Sequence, residues 1–83
     1  MNVINENQFL CTAEFALAGC LLASNFSLES LNKNEEKRVY FCFKKTVAAQ
    51  RVVDEFWKGT FMVNAVNFHN SLKMLKARLR NEQ

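Results

Sequence analysis

Eighty-three residues, 49% of them hydrophobic and eight of them Phe, are enough for one core and too few for two, so they are expected to form a single globular domain and not a disordered segment. The formal net charge of +3 conceals a division: residues 1–36 hold five glutamates against one lysine (−4), and residues 37–83 hold ten lysines and arginines against three acids (+7). A molecule so divided attracts anions with one part and repels them with the other.

Met1 to Gln8 is polar and is expected to form a loose tail, leaving residues 9–83 as a single compact domain. The apolar run Phe9–Ala23 is 15 residues long and includes Glu14, whereas a membrane span needs about 20 with few or no charges. No positive charge precedes the run and Glu6 does, so it does not read as a secretory signal, and the chain is expected to stay in the cytoplasm with no membrane partner. Thr12 is placed to cap a first helix ending near Ser24, with Glu14 in its first turn. Phe15, Ala18, Gly19 and Leu22 share one face with Leu21 alongside, and the small residues Ala16, Ala18 and Gly19 allow another element to come close. Apolar on much of its circumference, this helix is expected to be the most buried.

Phe26–Leu31 and Arg38–Lys44 alternate as strands, separated by the polar turn Asn32–Lys37. In the second strand Val39, Phe41 and Phe43 take the core face, and Arg38, Tyr40, Cys42 and Lys44 take the other. Thr46 caps a second helix that ends at Lys58, with Gly59 in the position that calls for a left-handed backbone. Ala49, Val52, Val53 and Phe56 form its apolar stripe. After a short link over Thr60–Val63, Asn64 caps a third helix reaching about Arg80, with Ala65, Phe68, Leu72, Leu75 and Leu79 inward. The fold class expected is α+β in the order α-β-β-α-α, three helices packed on one face of a two-stranded antiparallel hairpin.

The run Val39–Phe43, the segment Arg51–Gly59, and Asn64, Ala65, Phe68, Asn70 and Leu72–Leu79 together resemble a small domain family of unknown function. That family is carried by phages, prophages, other mobile elements and some prokaryotic genomes. At the front of the chain Thr12, Ala16–Ala18, Leu21 and Leu22 resemble it too, so the likeness covers about residues 9–80. The resemblance implies an accessory protein of a mobile element or its host and supplies no catalytic residues. Separately, the strand-helix-helix order over residues 38–80 is similar to a ribbon-helix-helix DNA reader, but here an intramolecular hairpin supplies the partner strand that such readers take from a second subunit.

Chemistry has little to work with. The sequence holds one histidine, no Gly-rich loop and no nucleophile beside a base, so no enzyme activity, catalytic residue or cofactor is expected. Cys11, Cys20 and Cys42 are odd in number and set among apolar residues, which favours buried free thiols over a disulfide framework. With gaps of nine, twenty-two and twenty-seven residues, these cysteines and His69 lack the close pairs of a zinc site, and no metal is expected.

Binding surfaces are better represented. His69, Lys73, Lys76 and Arg80 stand at i, i+4, i+7 and i+11 on the third helix, a line suited to a DNA or RNA backbone and equally to a solvated helix end. Arg38, Tyr40 and Lys44, adjoined by Lys37 and Lys45, make a second basic patch in which an aromatic ring could stack a base. Trp57, beside the helix-ending glycine, is expected to close the core, and if exposed becomes an anchor for a protein partner. Glu29, Glu35 and Glu36 are the acidic residues open to a protein interface. The expected function is a small binding protein that associates with nucleic acid through its basic half. The alternatives are a protein-binding inhibitor of a host machine, such as a defence system, and a homo-oligomeric structural module, for instance a homodimer.

Overall fold

The computed structural model describes residues 3–5 and 8–81. Along the chain they form strands β1 (Val3–Asn5) and β2 (Phe9–Thr12), helix α1 (Phe15–Ala23), strands β3 (Leu28–Lys33) and β4 (Val39–Lys44), and helices α2 (Val47–Lys58) and α3 (Ala65–Asn81). The class is α+β with three helices, and the sheet is larger than the expected hairpin. Strands β2, β4 and β3 form an antiparallel unit with β4 in the middle, and short β1 adds to the outer edge of β2, for the order β1-β2-β4-β3.

The correction has a physical cause. A two-stranded ribbon is marginal in water and would leave one edge of the apolar β4 unpaired; β2 pairs with that edge along Phe41–Lys44. The apolar run therefore splits. Phe9–Thr12 is strand, and the helix starts only at Phe15, with Glu14 at its N-cap and not in its first turn. Thr12 serves the junction in another way, its buried hydroxyl accepting the Glu14 N–H at 3.0 Å. The expected tail is corrected at Val3–Asn5, which pair with Leu10–Thr12, while residues 1, 2, 6 and 7 lie outside the described residues.

The β3–β4 turn is set by Asn34, whose side-chain oxygen accepts from the N–H groups of Glu36 and Arg38, while Lys37 takes a left-handed φ of 64°. Strand β3 begins two residues later than expected and runs two further, and it slips register between Leu28 and Ser30, leaving Glu29 at an irregularity. The other two helices start and stop as their sequences direct. Thr46 Oγ1 accepts from the Ala49 N–H, Gly59 closes α2 at φ 77°, and Asn64 Oδ1 accepts from the Asn67 N–H.

One core joins the sheet to all three helices: Leu10, Phe41 and Phe43 from the strands, Leu17, Ala18, Cys20 and Leu21 from α1, Ala49, Val52 and Val53 from α2, and Leu75 from α3. Helix α1 touches β2, α2 and α3, and five of its nine residues are buried, as its apolar circumference predicts. Gly19 is where α3 comes closest. A Cβ there would lie 2.6 Å from Leu72 Cδ2 and 3.1 Å from Phe68 Cε1. Two positions depart from the expected pattern on α3: Ala65 is exposed, and Ser71 is buried beside the Leu75 seam.

Candidate nucleic-acid interface

Alternation decides what each side of β4 presents. Val39, Phe41 and Phe43 turn to the helices, with Phe41 and Phe43 buried. Tyr40, Cys42 and Lys44 turn away from them. Register then adds neighbours to this second side: Phe9 lies opposite Lys44, Cys11 opposite Cys42, Ser30 opposite Cys42 on the other edge, and Asn32 opposite Tyr40.

At the centre of that face Cys11 and Cys42, with Cα atoms 4.0 Å apart, are joined in a disulfide across a sequence separation of 31. Three free thiols were the expectation for the chain; only Cys20 is one, buried in α1, where burial pushes its thiol pKa up. The other two meet because β2 is a strand that pairs with β4 in a register placing Cys11 opposite Cys42. Asn32 Nδ2 donates to Cys42 Sγ at 3.3 Å.

The structure regroups the two basic patches. His69, Lys73, Lys76 and Arg80 are all exposed on α3, flanking the half-buried Leu72 and Leu79. From His69 to Arg80 they span eleven residue steps of helix, or about 16 Å. Arg38 leaves the group to which alternation assigned it. It stands just before β4 and shares a cavity of about 400 Å³ with Phe15, Phe41 and Leu79, which brings it beside the C-terminal end of the α3 line. Lys44 stays on the far sheet face with Lys45, where both border a second cavity together with Phe9 and Glu29. Tyr40 is half-buried on the same face.

Trp57 corrects its expectation. It is 44% exposed and its ring meets Phe56 edge-on at 5.0 Å, so Phe56 is the half-buried member of the pair and the indole is a surface group. Met62 and Val66, a few residues further on, are exposed as well. The acidic candidates do not form one surface. Glu29 sits beside Lys44 near the start of β3, whereas Glu35 and Glu36 lie in the turn beyond its other end.

Phe9 is the site residue that sequence reasoning missed. Its one signal was the alternation Phe9-Leu10-Cys11-Thr12, too short to stand out from the apolar helix that follows. Among the described residues, no group of three or more His, Cys, Asp or Glu side chains is placed to hold a metal ion. No described helix is long and apolar enough to cross a membrane.

A small α+β domain with a basic helix and a partly aromatic sheet face is the class that fold and surface define. Residues 7–81 match a family described as a domain of unknown function (DUF5659), and the chain belongs to that family. No curated protein and no solved structure matches it.

Proposed function

We propose that this chain is a small non-enzymatic binding protein of a phage or mobile element, acting in the cytoplasm as a nucleic-acid-associated accessory factor. The observation that carries the reading is the line His69, Lys73, Lys76 and Arg80, exposed along α3 with Arg38 near its end. Lys73, Lys76 and Arg80 are cations about one helical turn apart, which suits the repeating charge of a phosphate backbone and releases its counterions on binding. The similarity to a ribbon-helix-helix reader does not extend to a shared ribbon, because β4 has a partner from its own chain on each edge. Backbone recognition without base readout by a strand pair is therefore the form proposed.

The test is titration of labelled duplex DNA and RNA at several salt concentrations. Binding should weaken with salt by about 0.9 in the log-log slope for each duplex phosphate contacted, and Lys73→Glu with Lys76→Glu should remove most of it. A flat salt response, or no binding to any nucleic acid, rejects the reading. The disulfide bears on the compartment, since such bonds persist mainly under oxidising conditions. Alkylating the protein at the moment of cell lysis and counting free thiols shows whether Cys11 and Cys42 are joined where the protein works.

A second reading is protein binding, in which the chain blocks or redirects a host machine such as a defence system or pairs with a second copy of itself. The exposure of Trp57 favours it, because exposed Trp is enriched among the residues that dominate interfaces. Trp57→Ala abolishing a captured partner or a dimer, with the charge-reversed α3 retaining it, would establish this reading over the first.

A further inference from the structure

Far from the α3 line, the sheet face turned away from the helices assembles groups from three strands. Phe9 on β2 and Lys44 on β4 are directly opposite one another. Phe9 is 38% exposed, an unusual position for a phenylalanine in a domain that needs its apolar side chains inside. Together with Gln8, Glu29 and Lys45 these two border a cavity of about 560 Å³, within the size range of small-ligand sites. Lys45 is fixed to the β2 end of the sheet by its N–H, which donates to Gln8 O at 2.9 Å. Tyr40 lies on the same side of β4, four residues from Lys44, or about 13 Å along the strand. The Cys11–Cys42 disulfide lies between the two aromatic positions and ties the strands that carry them.

A ring open to solvent and flanked by cations is the chemistry that receives an unpaired base and its phosphate. Every base has a face to stack, and a duplex does not offer it. We propose that this face is a single-strand-binding site, in which Phe9 stacks one base, Lys44 and Lys45 hold the adjoining phosphates, and Tyr40 meets the strand further along. The site rests on the nucleic-acid reading above and adds a ligand class to it: unpaired RNA or DNA, bound apart from α3. Glu29, the acidic member of the cavity, opposes the phosphate and limits affinity.

The experiment is fluorescence anisotropy with a short labelled oligothymidylate and a duplex of the same length, using the intact chain under non-reducing conditions. Phe9→Leu, which keeps an apolar group at the sheet, should weaken single-strand binding by about 5- to 150-fold, the effect of losing one base stack, and leave duplex binding unchanged. Lys44→Ala should make the single-strand salt slope shallower by about 0.7. Glu29→Gln should tighten binding. Should Phe9→Leu lower the melting temperature, Lys44→Glu at an exposed strand position carries the test instead, with a loss of single-strand binding expected. Wild-type affinity in folded Phe9→Leu overturns the site and assigns any strand binding to α3. Duplex binding that Lys73→Glu and Lys76→Glu abolish, without single-strand binding by the wild type, overturns the site and leaves the broader reading in place. Failure to bind either ligand ends both.

Discussion

The two faces of the sheet come from the same strands and are held by different means. Toward the helices, Leu10, Phe41 and Phe43 join side chains from α1, α2 and α3, and the stabilisation is removal of apolar area from water. Away from them, Phe9, Tyr40, the two linked cysteines, Asn32 and Lys44 cover the strands, and the strongest tie between β2 and β4 is the covalent Cys11–Cys42 link. One face keeps the molecule folded, and the other has side chains to spare for a ligand.

Truncating one aromatic ring on each face should separate the two faces most sharply. Phe43→Ala should cost about 3–5 kcal/mol, because a fully buried ring leaves a cavity under three helices. That is a large part of the roughly 4–12 kcal/mol expected for a domain of this length. Tyr40→Ala, on the opposite side of the same strand, should cost far less. Urea denaturation of the two variants measures the contrast, and equal losses would show that the far face is also core.

Removing the disulfide comes next. Closing a loop of 31 residues restricts the unfolded chain, and replacing Cys11 and Cys42 with Ser should cost about 3–4 kcal/mol. Reduction by dithiothreitol should reproduce most of that loss in the native sequence. An unchanged denaturation midpoint would mean that hydrogen bonding and packing alone hold β2 to β4.

Gly19→Val tests how tightly the helical layer is closed. The added Cβ and its two methyl groups would press on Leu72 and Phe68, for an expected loss of about 1–3 kcal/mol. Gly19→Ala should be milder, since the gain in helix propensity of about 1 kcal/mol offsets part of the clash and the tip of Leu72 is able to turn. A Gly19→Ala loss as large as that of Gly19→Val would show that α3 has no room to adjust.

The smallest effect concerns pH. Burial raises the pKa of the Cys20 thiol above its ordinary value, so the unfolded chain loses that proton first as pH rises. This group's contribution is fully present below the ordinary thiol pKa of about 8.5 and declines as pH climbs from there toward the folded value. Cys20→Ala should flatten that part of the stability profile. Thermal melts between neutral and alkaline pH, run on both proteins, compare the two slopes.

Local signals were legible where one side chain completes one structure. Thr46, Gly59 and Asn64 mark their helix ends because each satisfies, or bends around, backbone groups only a few residues away. The alternation of Val39–Lys44 assigned the core face of β4, and the apolar circumference of α1 marked it as central. The α3 line was legible for the same reason, since helical spacing alone sets which residues share a side. Phe9 and Trp57 were not. Whether an aromatic ring is covered depends on elements remote in the chain, and neighbouring residues carry no record of them.

Composition, periodicity and capping determined by themselves that the chain makes three helices and a β3–β4 hairpin around one core, because those features act over a turn of helix or a few residues of strand. Contacts between distant segments set the rest: Phe9–Thr12 leaves the apolar run to pair with β4, Cys11 meets Cys42, and Arg38 joins the α3 side while Lys44 does not. The physical reason is β4 itself: a central strand needs a hydrogen-bonding partner on each edge, and which segment supplies the second one depends on the whole arrangement of helices above it.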